Sequence, residues 1–388
     1  MDERTVIVED TFNKLRLSSP PDGWFPALQD LSWRITESNL PFINIFLSPH
    51  LKTISIYTPS TWTGPNIPHN ILAAIASVIS ALPTPALRLL SVDIGYNTPM
   101  AYFKDSLSPI VLRCGPSLTT FTSTVPLSDA AVNHLIQLPH LRTWHVKCPP
   151  PRYPTPPPPL SFPPLVSFTL GEGSAREWLS LFERLEGGGS TVQGLAPLSK
   201  VKESLKSLNV RDPSSLVVDI SFTSPIQMFR NLVTLGVMVY CPYVDGDDQC
   251  AFRLNNDNIT KLATALPQLE SLFLGRPCLK NTCATTVACL LPISVHCVKL
   301  QKLQIHFNTT NIVDDFKNIS EVPRFQELHP LPRCTLSHLY VDRMALTLDE
   351  PGFETVVGGV IDIFPSLKRC IGHGWGWGEI SERISGLR

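Results

Sequence analysis

Twelve copies of one short phrase run through this chain: Leu, two residues, an apolar residue, one residue, and usually a second apolar residue. They begin at Leu28, Leu51, Leu87, Leu118, Leu141, Leu165, Leu205, Leu232, Leu269, Leu300, Leu336 and Leu367. Clear copies are Leu269-x-x-Leu272-x-Leu274, Leu300-x-x-Leu303-x-Ile305 and Leu336-x-x-Leu339-x-Val341; Ser123 and Gly372 fill the last place in theirs. The two-residue step between the last apolar places puts both side chains on one face of an extended strand. A unit this short cannot bury that face alone, so successive copies must stack.

Between the phrases the period changes. Asn70–Leu82 carries Ile71, Ile75, Val78 and Ile79 on one stripe. Asp129–Leu138, Arg176–Leu185, Asn258–Leu266 and Phe353–Phe364 carry similar stripes. This is helical spacing. Ser128-Asp129 and Asn256-Asp257 suit helix N-caps, and Pro83, Pro139, Pro267 and Pro365 stop each helix before the next strand. The unit is helix, proline turn, strand, with first leucines 23 to 40 residues apart. L-x-x-L-x-L is the strand half of a leucine-rich repeat. The expected fold is α/β: a right-handed, curved leucine-rich-repeat solenoid, with a parallel sheet on its concave face and helices and loops on its convex face. The expected domains are an N-terminal cap or remnant over residues 1–24, an irregular array over 25–372, and a Gly/Trp cap and tail over 373–388.

A chain of 388 residues with formal net charge -1 lacks the electrostatic footprint of a general nucleic-acid binder. The N-terminus shows no signal peptide. The longest apolar stretch, Ile71 to Leu82, is too short for a membrane span. The expected location is intracellular, cytoplasm or nucleus. In that setting the ten scattered cysteines read as reduced thiols, many of them buried. The Cys278, Cys283, Cys289, His296, Cys297 group matches no zinc-ligand spacing. No metal, cofactor or catalytic residue is expected. Asp245-Gly246-Asp247-Asp248 reads as a solvated acidic loop, Gly187-Gly188-Gly189-Ser190 as a flexible one, and the proline-dense segment 148–164 as a polyproline II connector, with a ligand for a proline-binding domain as its alternative. The indoles of the Gly372–Gly378 tail read as a cover for the open end of the array.

With the Leu places turned inward, the alternate places form an outer column in each repeat. Early columns are small and polar, such as Thr53 and Ser55, or Thr120, Thr122 and Thr124. Later ones bring Arg211, Phe273, Lys302 with Gln304 and His306, then His338, Tyr340 and Asp342, with Arg369 near the end. Aromatic and basic residues anchor protein interfaces. A protein partner is expected on the concave face at Arg211, Phe273, Lys302, His306, His338 and Tyr340.

The runs Phe229–Val237, Asn258–Gly275, Thr285–Asn308 and Leu336–Val341 with Ile363–Leu367 resemble the leucine-rich part of fungal F-box proteins of the mushroom type. The resemblance covers roughly residues 25–372. It implies the substrate-recognition repeats of an F-box subunit of a cullin-type ubiquitin ligase, with a protein substrate as partner. The N-terminal residues do not read as an F-box, so adaptor binding is expected only if one lies upstream. The alternative is a stand-alone repeat scaffold with no ligase connection.

Overall fold

The computed structural model describes residue 14 and residues 24–58, 69–94, 101–146, 162–171, 177–179, 201–212, 218–239, 252–275, 283–321, 334–341, 349–372 and 377–386. The N-terminal segment, most of the proline-dense stretch, Gly187–Ser190, Asp245–Asp248, Asp342 and residues 373–376 lie outside these.

Every copy of the phrase forms a strand, and each strand pairs in parallel with the copy beside it. In the first unit, Met1–Leu165, these are β1 (Asp30–Arg34), β2 (Thr53–Tyr57), β3 (Leu89–Asp93), β4 (Thr120–Ser123) and β5 (Thr143–Val146). In the second, Val166–Arg388, they are β6 (Ser167–Leu170), β7 (Ser207–Asp212), β8 (Thr234–Val239), β9 (Ser271–Leu274), β10 (Lys302–Ile305), β11 (His338–Val341) and β12 (Arg369–Gly372). Within each unit the strand order is the chain order.

The register has no offset. The fourth place of each phrase lies beside the fourth place of the next: Leu31, Ile54, Leu90, Phe121 and Trp144 in one unit, and Phe168, Leu208, Leu235, Leu272, Leu303, Leu339 and Cys370 in the other. All are buried. The first leucines from Leu51 onward are also buried, at no more than 1% exposure, whereas Leu28 in the first copy stays partly exposed. Among the described strands β1 pairs with β2 alone.

A recurring hydrogen bond locks this phase. The carbonyl of the residue after each first leucine accepts two N–H groups of the next copy. Gln29 takes those of Lys52 and Thr53, and the pattern repeats at Lys52, Arg88 and Thr119, then at Val166, Lys206, Val233, Glu270, Gln301 and Ser337, at 2.7–3.1 Å.

The α-helices whose bounds fall within the described residues are α1 (His69–Ser80), α2 (Ala101–Arg113), α3 (Asp129–Gln137), α4 (Ile220–Thr223), α5 (Asn256–Ala265), α6 (Leu290–His296), α7 (Ile312–Glu321), α8 (Glu350–Ile363) and α9 (Trp377–Gly386). Ser128 caps α3 by accepting the Ala131 N–H. The cap of α5 is Asn255, one residue before the expected one. Asn255 and Asn258 form a reciprocal capping box, and Asn256 instead pairs with Thr286 of the next repeat at 2.9 and 3.0 Å. No helix was expected over α2, α4, α6, α7 or α9. In α2 the reason is Pro109, which removes an N–H from a helix interior. Burial of Phe103, Leu107, Ile110 and Val111 along one stripe outweighs that loss. Helix α9 buries Trp377, Ile380 and Ile384 and packs on β12 and α8, with Trp377 edge-on to Phe307.

Six described cysteines, Cys114, Cys283, Cys289, Cys297, Cys334 and Cys370, are buried. Burial pushes the thiols of Cys114, Cys297 and Cys370 up to about 12 and Cys334 to about 11, and raises Cys289 as well. They remain protonated core groups. Among the described residues no helix is long and apolar enough to cross a membrane, and no three metal-ligating side chains gather.

The packing makes a direct test possible. Leu303→Ala removes a fully buried side chain and is expected to cost about 2–5 kcal/mol, whereas Gln304→Ala beside it is expected to cost less than about 0.5 kcal/mol. Urea unfolding of both variants measures the difference.

Candidate functional site

The face of the second unit's sheet that points away from the core is built from the alternate places of each phrase. The in-phase register turns these places into rows. One row reads Ser207, Thr234, Ser271, Lys302, His338, Arg369. The next reads Asn209, Gly236, Phe273, Gln304, Tyr340, Ile371.

Five of the six expected partner-binding residues lie on this face. Phe273 on β9 is half-buried, with Gly236 on one side and Gln304 on the other. Lys302 on β10 is exposed, between Ser271 and His338. His338 and Tyr340 on β11 are half-buried, and their rings lie stacked with centroids 6.3 Å apart and planes 15° from parallel. The Ser337 hydroxyl lies 2.8 Å from His338 Nδ1. Arg211 is exposed on β7, opposite Met238, and therefore stands two strands from Phe273. The structure thus brings Phe273, Lys302, His338 and Tyr340 together on three consecutive strands and leaves Arg211 at the margin.

Gly236 has a specific part in this face. A side-chain carbon there would come within 2.5 Å of Asn209 Oδ1. Asn209 leans over the glycine and donates to Ser207 Oγ at 3.1 Å, which levels the face beside Phe273.

His306 is a correction. It was expected on the partner-binding face, yet it is 2% exposed. The cause is strand length. β10 ends at Ile305, so His306 lies past the last alternating place and the chain turns it into the core. The same holds for Thr124 after β4, Gly171 after β6 and Gly275 after β9, all buried. Where the strand runs on, as at Tyr57, Asp93 and Arg211, the equivalent residue is exposed. Thr124 satisfies its hydroxyl on the Ile94 N–H and C=O, at 2.8 and 2.9 Å. Neither ring nitrogen of His306 has a hydrogen-bond partner among the described residues. Beside it, Gly275 has φ +81°, a conformation that favours glycine, and it lies in contact range of His306 and Phe252.

Gln304 and Arg369 belong to the face but were not among the expected residues. Both occupy alternate places of their phrases, so the signal was present; a ranking by aromatic and basic character passed over the amide, and Arg369 stands in the last copy. Comparison with protein-family models and with curated proteins finds no match.

Burial without a partner pushes the His306 imidazole down to about 4 from an ordinary 6.5. The native state therefore holds it neutral while the unfolded chain protonates it as pH falls through 6.5. The stability that the neutral ring supports is fully present above that pH and is lost between pH 6.5 and 4, at up to about 1.4 kcal/mol per pH unit. His306→Leu is expected to remove this part of the acid sensitivity. Denaturant unfolding at a series of pH values measures it: the stability of the variant relative to the native chain should rise steadily over that range.

Proposed function

We propose that this chain is a leucine-rich-repeat protein-interaction module that holds a protein partner on the outer sheet face of its second unit. The observation that supports this reading is the clustering of Phe273, Lys302, Gln304, His338 and Tyr340 on three adjacent strands. Two aromatic rings, an imidazole, an amide and a cation are held on hydrogen-bonded backbone, so little backbone freedom is lost when a partner orders them. The equivalent places of β4 in the first unit are Thr120 and Thr122, which offer only small hydroxyls.

No enzymatic activity is proposed. The resemblance to fungal F-box proteins suggests the setting: the face selects a substrate for a cullin-type ubiquitin ligase. A stand-alone scaffold is the alternative, and recovery or non-recovery of adaptor and cullin subunits with the tagged full-length protein separates the two settings.

The choice of face has its own test. Partners are identified by proximity labelling and then captured on the purified chain. Phe273→Ala, His338→Ala and Tyr340→Ala combined, with the fold checked by circular dichroism, is expected to weaken capture at least tenfold. The comparison variant, Tyr57→Ala on the exposed place of β2, should leave capture intact. Undiminished capture by the triple variant would sink this choice of face.

A further inference from the structure

We propose that the cationic row of this face receives an extended acidic segment of the partner, and that Arg369 on β12 completes the row. The proposal rests on the reading of the face as partner-binding and specifies the partner's chemistry.

Lys302, His338 and Arg369 occupy the same place of three successive phrases, directly beside one another on β10, β11 and β12. Adjacent strands are about 4.8 Å apart, so the row spans about 10 Å. Lys302 and Arg369 are exposed. Among the described residues no carboxylate pairs with either; the ion pairs Lys317–Asp314 and Arg383–Glu354 lie on helices. The nearest acid in the register is Glu270, just before β9, and it too forms no ion pair among the described residues. The same row is uncharged on β7, β8 and β9, where it reads Ser207, Thr234 and Ser271. Within this row, positive charge is therefore concentrated at one end.

The donor chemistry points the same way. Lysine brings three N–H donors and arginine a planar fork, and neither accepts a hydrogen bond. The single hydroxyl proton of Ser337 goes to the Gln301 carbonyl at 3.0 Å, so His338 Nδ1–H, 2.8 Å away, donates to the Ser337 oxygen and fixes the ring between the two cations. Lys302 and Arg369, donors without acceptors at the two ends of the row, are complementary to carboxylates. The adjoining row, Gln304, Tyr340 and Ile371, supplies a polar and apolar shoulder for the side chains between them. An extended chain advances about 3.3–3.6 Å per residue, so acidic side chains three residues apart, laid across the strands, span the distance from Lys302 to Arg369, and those two residues apart, about 7 Å, come within reach of the long Lys and Arg side chains. The occupant proposed is a peptide segment with Glu or Asp at that spacing.

Fluorescence anisotropy on the full chain tests this with a labelled peptide of alternating Glu and Gly, its Gln counterpart, its Lys counterpart and a phosphoserine counterpart. The Glu peptide is expected to bind at least tenfold more tightly than the Gln and Lys peptides, and to weaken as salt is raised. Lys302→Glu with Arg369→Glu should remove that preference, and the milder Lys302→Gln with Arg369→Gln should reduce it. Lys52→Glu, at a half-buried cation hydrogen-bonded to Gln29 in the first unit, should leave it intact. Equal binding of the Glu and Gln peptides, unchanged binding by the folded double variants, binding of the phosphoserine peptide alone, or no binding at all would each overturn the proposal. The identified protein partner separates this failure from failure of the face. Loss of capture with the triple alanine variant but not with K302E/R369E sinks the acidic segment and keeps the face; capture unchanged by both sinks the face.

Discussion

The in-phase parallel register is the constraint on which the rest of the structure depends. Because place four lies beside place four in every pair, each repeat position becomes a continuous line across its unit. Lines of Leu, Ile, Phe and Trp form the core, and lines of alternate residues form the outer face. A slip of one residue would turn the apolar set outward, so burial itself defends the register. The paired N–H groups bound to one carbonyl at each junction add a backbone clamp that does not depend on side-chain identity. That independence lets the loops between strands vary widely in length without disturbing the rows.

The clamp also explains how a binding face arises from unremarkable local sequence. No single repeat contains a site. Phe273, Gln304 and Tyr340 are separated by more than thirty residues at each step, yet adjacent strands hold them side by side. The face changes character simply because successive phrases carry different residues in the same places. Small residues contribute as well: Gly236 leaves open the space into which Asn209 leans.

Strand ends set the limit of that logic. Residues at the sixth place after the first leucine face outward only while the strand continues. Once hydrogen bonding to the neighbour stops, the chain turns and carries the side chain into the core. Thr124 meets this with hydrogen bonds to Ile94, and Gly171 and Gly275 have no side chain to place. His306 has neither remedy and is held neutral in an apolar setting. The buried thiols follow the same economy of space: Cys297 and Cys334 donate to backbone carbonyls and pack as small core groups.

Much of this was legible in the residues alone. Twelve strands, their burial pattern and the helices α1, α3, α5 and α8 follow from periods of two and 3.6, because those periods are properties of the backbone and need no knowledge of neighbours. Five of the six face residues could be named for the same reason. What tertiary structure alone decided was anything that depends on the next repeat. It set where each strand stops, and so moved His306 from the face to the core. It formed α2 despite Pro109, through burial of a stripe whose partners lie on other helices. It shifted the α5 cap to Asn255, because Asn256 is engaged by Thr286 thirty residues away. And it put Arg369 beside His338 while leaving Arg211 two strands from Phe273. Periodicity tells which side of a strand a residue faces; only pairing across distant repeats decides which residues stand next to one another.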